Sequence, residues 1–262
     1  MNIVNDEQLL ITVYPGYTKT GEPEGFESIE IRPGDIITIV GPTGSGKTAF
    51  INDIEVFAQR DTVTGRNVTV NGGVPPESFV RDPANKPIAM ITQNTKCLAD
   101  LTVDEFLNMH IIARNNKECN TCEKTIELAN RFTGEKIRGE ARISALSGGQ
   151  TRSLMIADAV IISQAPILLL DEIENAGIFK EEVVNHLKKL NKAVLFVTHD
   201  PYIALLSDRR IVMKNGEVTA VLEPGDSEKE FLTKVSQIDH TLSEIRERIR
   251  VGEVLGGVAF GS

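Results

Sequence analysis

The spacing of apolar residues changes character three times along the chain. Alternation over residues 9–13 and 28–31 predicts two antiparallel strands, each with one covered face. Arg32-Pro33-Gly34-Asp35 then marks a turn. The run Ile36-Ile37-Thr38-Ile39-Val40 is β-branched and nearly all apolar, as a central strand buried on both faces requires. A glycine-rich loop follows, and residues 47–58 predict a helix, which completes the opening unit of an α/β domain. Apolar runs at 88–92, 167–170, 193–198 and 210–213 add further strands. Between residues 98 and 142 the spacing is helical, and Thr102 with Asp104 and Glu105 opens one of these helices. The predicted fold is therefore α/β: a mostly parallel sheet, an N-terminal antiparallel β part, and a helical subdomain inserted at about residues 98–145.

The tail reads separately, as an amphipathic helix and end segment over residues 226–262. Ser227 and Glu230 have capping-box spacing, and Phe231, Val235, Ile238, Leu242, Ile245 and Ile249 follow at steps of four and three, up to Gly252. Such a stripe packs on its own domain or on a second subunit, the first being the commoner outcome.

Composition narrows the class. With 262 residues, 41% of them apolar, the chain builds a real core, and a formal net charge of -9 argues against a nucleic-acid partner. No apolar run approaches the roughly 20 residues that span a bilayer, and residues 1–8 are acidic and polar where a signal peptide is basic and then apolar. A cytoplasmic protein without direct membrane insertion is expected, held at the inner face of a membrane only through a partner. Three cysteines, Cys97, Cys119 and Cys122, are too few and too odd for a disulfide framework. The C-x-x-C pair Cys119 and Cys122 has only Cys97 and His110 nearby in sequence, so reduced thiols on a helical segment are the simpler reading than a metal or redox site.

The chemistry concentrates in a few motifs. Gly41, Pro42, Thr43, Gly44, Ser45, Gly46, Lys47 and Thr48 match G-x-x-x-x-G-K-[ST] at every required position, between a strand and a helix. Glycines let successive N–H groups converge on polyphosphate oxygens, and the helix that runs on through Ala49 adds its positive end. Lys47 brings a point charge to the β and γ phosphates, and Thr48 offers a hydroxyl to Mg2+. Ile167-Leu168-Leu169-Leu170-Asp171-Glu172 is a buried strand ending in two carboxylates. Asp171 is suited to hold Mg2+, and Glu172 to polarise an attacking water as general base. Leu146-Ser147-Gly148-Gly149-Gln150 reads either as a helix N-cap or as a second anion site.

In this order the motifs resemble the ATP-binding cassette family: the phosphate loop, Gln93 after a strand, the Ser147–Gly148–Gly149–Gln150 signature, the strand ending in Glu172, and His199 within Thr198-His199-Asp200. The resemblance runs from about residue 9 to residue 222. It implies a P-loop NTPase core, an ATPase domain over residues 1–225, ATP and Mg2+ as ligands, and a second subunit, identical or not, facing the first head to tail. It also implies roles. Gln93 senses Mg2+ and the γ-phosphate, His199 contacts the γ-phosphate, and an aromatic residue ahead of the phosphate loop stacks on adenine, with Tyr14 better spaced than Tyr17. Ser147 to Gln150 cap the nucleotide of the neighbouring subunit. One departure stands out: after Glu172 the family usually reads Pro-Thr-Ser-Ala-Leu-Asp, whereas here Ile173-Glu174-Asn175-Ala176-Gly177-Ile178 follows.

Two uses are compatible with these motifs. The stretch from Gln93 to Leu107 resembles that of transport ATPases, which implies a separate polytopic permease subunit. The unusual loop after Glu172, the C-x-x-C and the tail leave a soluble ATPase that remodels a protein or metallocofactor complex as the alternative. A P-loop kinase or GTPase conflicts with the motif order, and no guanine-reading Asn-Lys-x-Asp is present.

Overall fold

A computed structural model describes residues 9–92, 100–116, 118–172 and 178–254. The chain builds a six-stranded sheet from β3 (Ile36–Val40), β5 (Ile88–Ile91), β6 (Ile167–Asp171), β7 (Ala193–Val197), β8 (Arg209–Lys214) and β9 (Glu217–Leu222). Their spatial order is β5-β6-β7-β3-β8-β9, parallel throughout except for the β8–β9 hairpin. A smaller antiparallel sheet, β2-β1-β4, joins β1 (Ile11–Tyr14), β2 (Ile29–Ile31) and β4 (Asn67–Val70).

Both faces of the large sheet are covered, and the period-2 alternation of each strand divides its side chains between two cores. Ile36, Leu168, Leu170, Val194 and Phe196 point to one side. There they meet α3 (Val103–Ala113), α4 (Thr121–Phe132), α5 (Gly148–Ile161) and α6 (Lys180–Lys189) through Val103, Leu128, Leu154 and Leu187. Ile37, Ile39, Ile167, Leu169 and Leu195 point the other way, onto Phe50, Ile51 and Ile54 of α1 (Lys47–Glu55) and onto the small sheet. Each fully buried Leu or Ile contributes roughly 1.5–3 kcal/mol, so the solid apolar strands dominate the stability. A short α2 (Glu77–Arg81) precedes β5, α7 (Pro201–Leu206) follows β7, and α8 (Asp226–Arg250) closes the described chain.

Several elements differ from the local reading. Helix α1 ends at Glu55 rather than at Ala58. Phe57 takes a left-handed φ of 53°, and the N–H groups of Phe57 and Ala58 donate to the carbonyls of Ile54 and Asp53, a Schellman cap with phenylalanine in the usual glycine position. Burial of the Phe57 ring offsets that strain. The small sheet has a third strand, β4, and β8 has a hairpin partner, β9; the sequence reading predicted neither. The hairpin turns on Asn215 and Gly216, both with positive φ (53° and 88°), the type I′ geometry that Asn-Gly favours. Ser227 lies inside the first turn of α8 instead of capping it, while Gly252, at φ 82°, follows the helix end.

Helix α3 opens on a reciprocal capping box: Glu105 N–H donates to the Thr102 hydroxyl, and the Glu105 carboxylate accepts from Thr102 N–H at 2.8 Å. These bonds from Thr102 hold the Glu105 carboxyl below its usual range.

Beside α1 a charge network is fully buried. Arg66 lies against Glu24 at 2.6 Å and Asp53 at 3.1 Å, with all three side chains essentially inaccessible. Glu24 also accepts from the N–H groups of Gly16 and Val218, so this one carboxylate ties the loop after β1 to β9. Removing the arginine strands two carboxylates, which costs about 3–5 kcal/mol. The Arg66→Met variant is expected to melt on the order of 10 °C lower than wild type by calorimetry; an unchanged melting temperature would mean that the network adds nothing to stability.

Candidate functional site

Strands β6, β7 and β3 are parallel neighbours, so the loops that leave their carboxyl ends emerge side by side. Three of the motifs sit on those loops. The segment Gly41 to Gly46 leaves β3, Asp171 and Glu172 end β6, and Thr198 and His199 follow β7. The register fixes their heights, since Asp171 and Ile39 both pair with Val197, and the N–H groups of Glu172 and Thr198 donate to the carbonyls of Val197 and Ile39.

The loop after β3 curls into the start of α1. Gly41 has φ 152°, and a Cβ there would strike the Met213 carbonyl oxygen of β8, so no larger residue fits. The hairpin turn also braces the loop: Gly216 N–H donates to the Ser45 carbonyl at 2.9 Å. Helix α1 starts from Gly46 with no side-chain cap and no acidic residue in its first turn, which leaves the positive end of the helix uncompensated by its own sequence. Lys47 is only 6% exposed, and its ammonium donates to the carbonyls of Gly41 and Pro42 at 2.9 and 3.1 Å. The Ser45 hydroxyl is buried with no hydrogen-bond partner. A buried cation, a bare helix N-terminus and an unsatisfied hydroxyl converge in one concave loop, a donor set suited to polyphosphate oxygens.

The carboxylates lie along the same sheet edge. Glu172 adopts a left-handed φ of 49°, a strained backbone of the kind that collects at functional sites. Its carboxylate comes within 3.6 Å of His199 Nε2. Asp171, half-buried, and Thr48, exposed on the first turn of α1, supply hard oxygen donors. No group of three or more metal-binding side chains occurs among the described residues, so a divalent cation here would draw ligands from a bound phosphate as well as from the protein. Mg2+ is usually held in that way. A cleft of about 350 Å3 runs from Val40, Gly41 and Pro42 to His199, Asp200 and Pro201.

Gln93, Cys97 and the loop residues 173–177 lie outside the described residues; Ile178, which follows them, is buried and pairs with Thr133. Tyr14 ends β1 at 37% exposure, and Tyr17 is 52% exposed in the next loop. Ser147 N-caps α5 in a reciprocal box with Gln150, so the signature is a helix cap in its own chain, with Ser147 and Gly148 exposed and Gly149 buried. Its hydroxyl keeps a proton to donate beyond that box.

Lys19 was not singled out by sequence, yet its ammonium donates to the Gly44 carbonyl at 2.6 Å. No local motif marks it; only the fold brings that loop beside the phosphate loop. The C-x-x-C carries no metal site among the described residues. Cys119 is exposed, while burial and a hydrogen bond to Asp104 push the Cys122 thiol up to about 12. His110 is occupied by Asp158 at 2.9 Å.

Comparisons with known proteins agree with this geometry. Residues 27–175 match the family described as ABC transporter. An ABC transporter ATP-binding protein of Methanocaldococcus jannaschii is 49% identical over 245 residues, 94% of each chain. The thiamine import ATP-binding protein ThiQ of Brucella suis is 31% identical over 208 residues, 76% of this chain and 83% of that one. A solved dimeric ATP-binding cassette, in a post-hydrolysis state with ADP and Pi, shares the fold with a TM-score of 0.61 at 23% identity, over 82% of this chain and 99% of that one. The chain belongs to the ABC transporter family, as one of its ATP-binding subunits. No helix among the described residues is long and apolar enough to cross a membrane.

Proposed function

We propose that the chain hydrolyses MgATP as one half of a head-to-tail dimer and thereby drives a transporter whose membrane-spanning part is a separate polypeptide. The observation that carries this reading is the shared sheet edge: Lys47 on its bare helix N-terminus, and Glu172 and His199 at 3.6 Å, on adjacent parallel strands. The phosphate loop binds the polyphosphate through backbone N–H groups, Lys47 and Ser45. Tyr14, exposed at the end of β1, is the aromatic residue on which adenine stacks. Mg2+, when bound with the nucleotide, neutralises charge on the phosphate oxygens, and Thr48 and Asp171 are the side chains that hold it, with Gln93 in the sensing role.

Glu172 orients the attacking water and accepts its proton, while His199 steadies the developing charge on the γ-phosphate. Ser147 and Gly148, exposed at the start of α5, supply a second set of anion donors for the nucleotide of the partner copy. The γ-phosphate is then gripped by both subunits, and its loss loosens the pair.

The Glu172→Gln variant keeps the shape of the side chain and removes its basicity. Its turnover is expected to fall by about 10²- to 10⁴-fold, and with MgATP it is expected to elute as a dimer in gel filtration. A monomer under those conditions contradicts the shared grip, and wild-type turnover in the variant contradicts the role of Glu172.

The transport reading draws on the family and on relatives such as the thiamine import ATP-binding protein. It places the protein at the inner face of a membrane through its partner. Affinity purification from gently solubilised membranes is expected to recover a polytopic membrane protein; recovery of soluble partners alone would favour an ATPase that remodels soluble complexes.

A further inference from the structure

Helix α8 meets the body of the protein beside the turn that carries His199, mainly through α7. The centre of this contact is Lys180, the first residue of α6, whose side chain is only 11% exposed. Its ammonium is bonded to Asp200 on one side and to Asp239 of α8, at 3.1 Å, on the other. Asp200 is the residue after His199. One of its carboxylate oxygens caps α7 through the N–H groups of Tyr202 and Ile203, the other takes Lys180, and its own N–H donates to the Thr198 hydroxyl at 2.9 Å. The peptide that bears His199 is thus pinned on both sides. Through Lys180 it is joined to α6, the first helix after Glu172 among the described residues, and through Asp239 to α8.

We propose that α8 is a positioning element of the hydrolysis site, in which Asp239 holds Lys180 against Asp200 and so fixes His199 opposite Glu172. The inference rests on the ATPase reading above and extends it to a helix that contributes none of the proposed site residues.

Three observations support it. Lys180 has two carboxylate partners, and losing Asp239 would leave a nearly buried ammonium with one. Burial opposes its charge, but the hydrogen bonds and attraction of Asp200 and Asp239 outweigh burial and keep Lys180 above its ordinary range, so it stays a cation throughout the physiological range. The rest of the attachment of α8 is also largely polar. Arg210 pairs with Glu228 of α8 at 2.9 Å, and the Tyr202 hydroxyl, which donates to Glu181 at 2.9 Å, faces Ser236 of α8. A helix held by ion pairs over a few half-buried apolar residues can engage or release without exposing a core.

The test uses the full chain with Asp239→Asn, Asp239→Glu, Lys180→Met and the double variant Lys180→Met/Asp239→Asn. Asp239→Asn is expected to lower kcat about three- to tenfold with KM for ATP within about twofold, because the phosphate loop is untouched. Asp239→Glu restores most of the rate, and the second substitution in the double variant adds no further loss, the signature of groups acting in one chain. Hydrogen exchange over residues 198–203 is expected to speed up in Asp239→Asn, whether or not the protein hydrolyses ATP. Unchanged exchange at 198–203 overturns the proposal outright. So does a kcat loss that Asp239→Glu fails to restore and that comes with a lowered melting temperature, which makes α8 a stabilising element only. Faster exchange in a protein that has no ATPase activity even as wild type would leave the latch standing and refute the hydrolysis reading instead.

Discussion

A helix that begins on glycine, with neither a capping side chain nor an acid in its first turn, presents N–H groups and a positive end that favour an anion from outside. The start of α1 is such a helix, and the rest of the site is arranged around it. Lys47 is buried beside it, the Ser45 hydroxyl has no partner of its own, and the Asn215-Gly216 turn and Met213 close on the loop from behind. Leaving those donors unpaired costs stability, and a polyphosphate recovers it.

Strand order brings the proposed catalytic side chains to this anion site. Because β6 and β7 lie next to β3 in a parallel sheet, Asp171, Glu172 and His199 open onto the same edge as the phosphate loop, though more than a hundred residues separate them along the chain. Two cores hold that edge rigid, one on each face of the sheet, and the buried Arg66, Glu24 and Asp53 network ties the loop after β1 to α1 and β9. The precision of a 3.6 Å contact between Glu172 and His199 is inherited from strand register.

What the sequence makes legible follows from how local each constraint is. A buried parallel strand must be apolar over its whole length, so β3, β6 and β7 stand out, and with them the α/β class. A phosphate loop needs glycines and a lysine at fixed spacing, so residues 41–48 can be read without a structure. Strands β4 and β9 mix polar with apolar residues, and pairing with β1 and β8 is what defines them, although Asn215-Gly216 is a usable turn signal for the second. Apolar spacing carries α1 past its end because Phe57 occupies a left-handed position usually taken by glycine. The contacts of Lys19 with Gly44, and of Lys180 with Asp239, join residues 25 and 59 positions apart, and no pattern in either segment announces them. The unusual residues after Glu172 are visible in sequence as a departure, and the polar attachment of α8 is not.

Every proposed role in the site depends on the donors at the start of α1 taking a polyphosphate. Calorimetric titration of MgATP into the wild-type protein and into Lys47→Ala measures this directly. The expected result is saturable one-to-one binding by wild type and a loss of about a hundredfold or more in the variant, since a buried charge-assisted contact contributes roughly 2–3 kcal/mol or more. Equal affinities, or no binding by the wild-type chain, would contradict it.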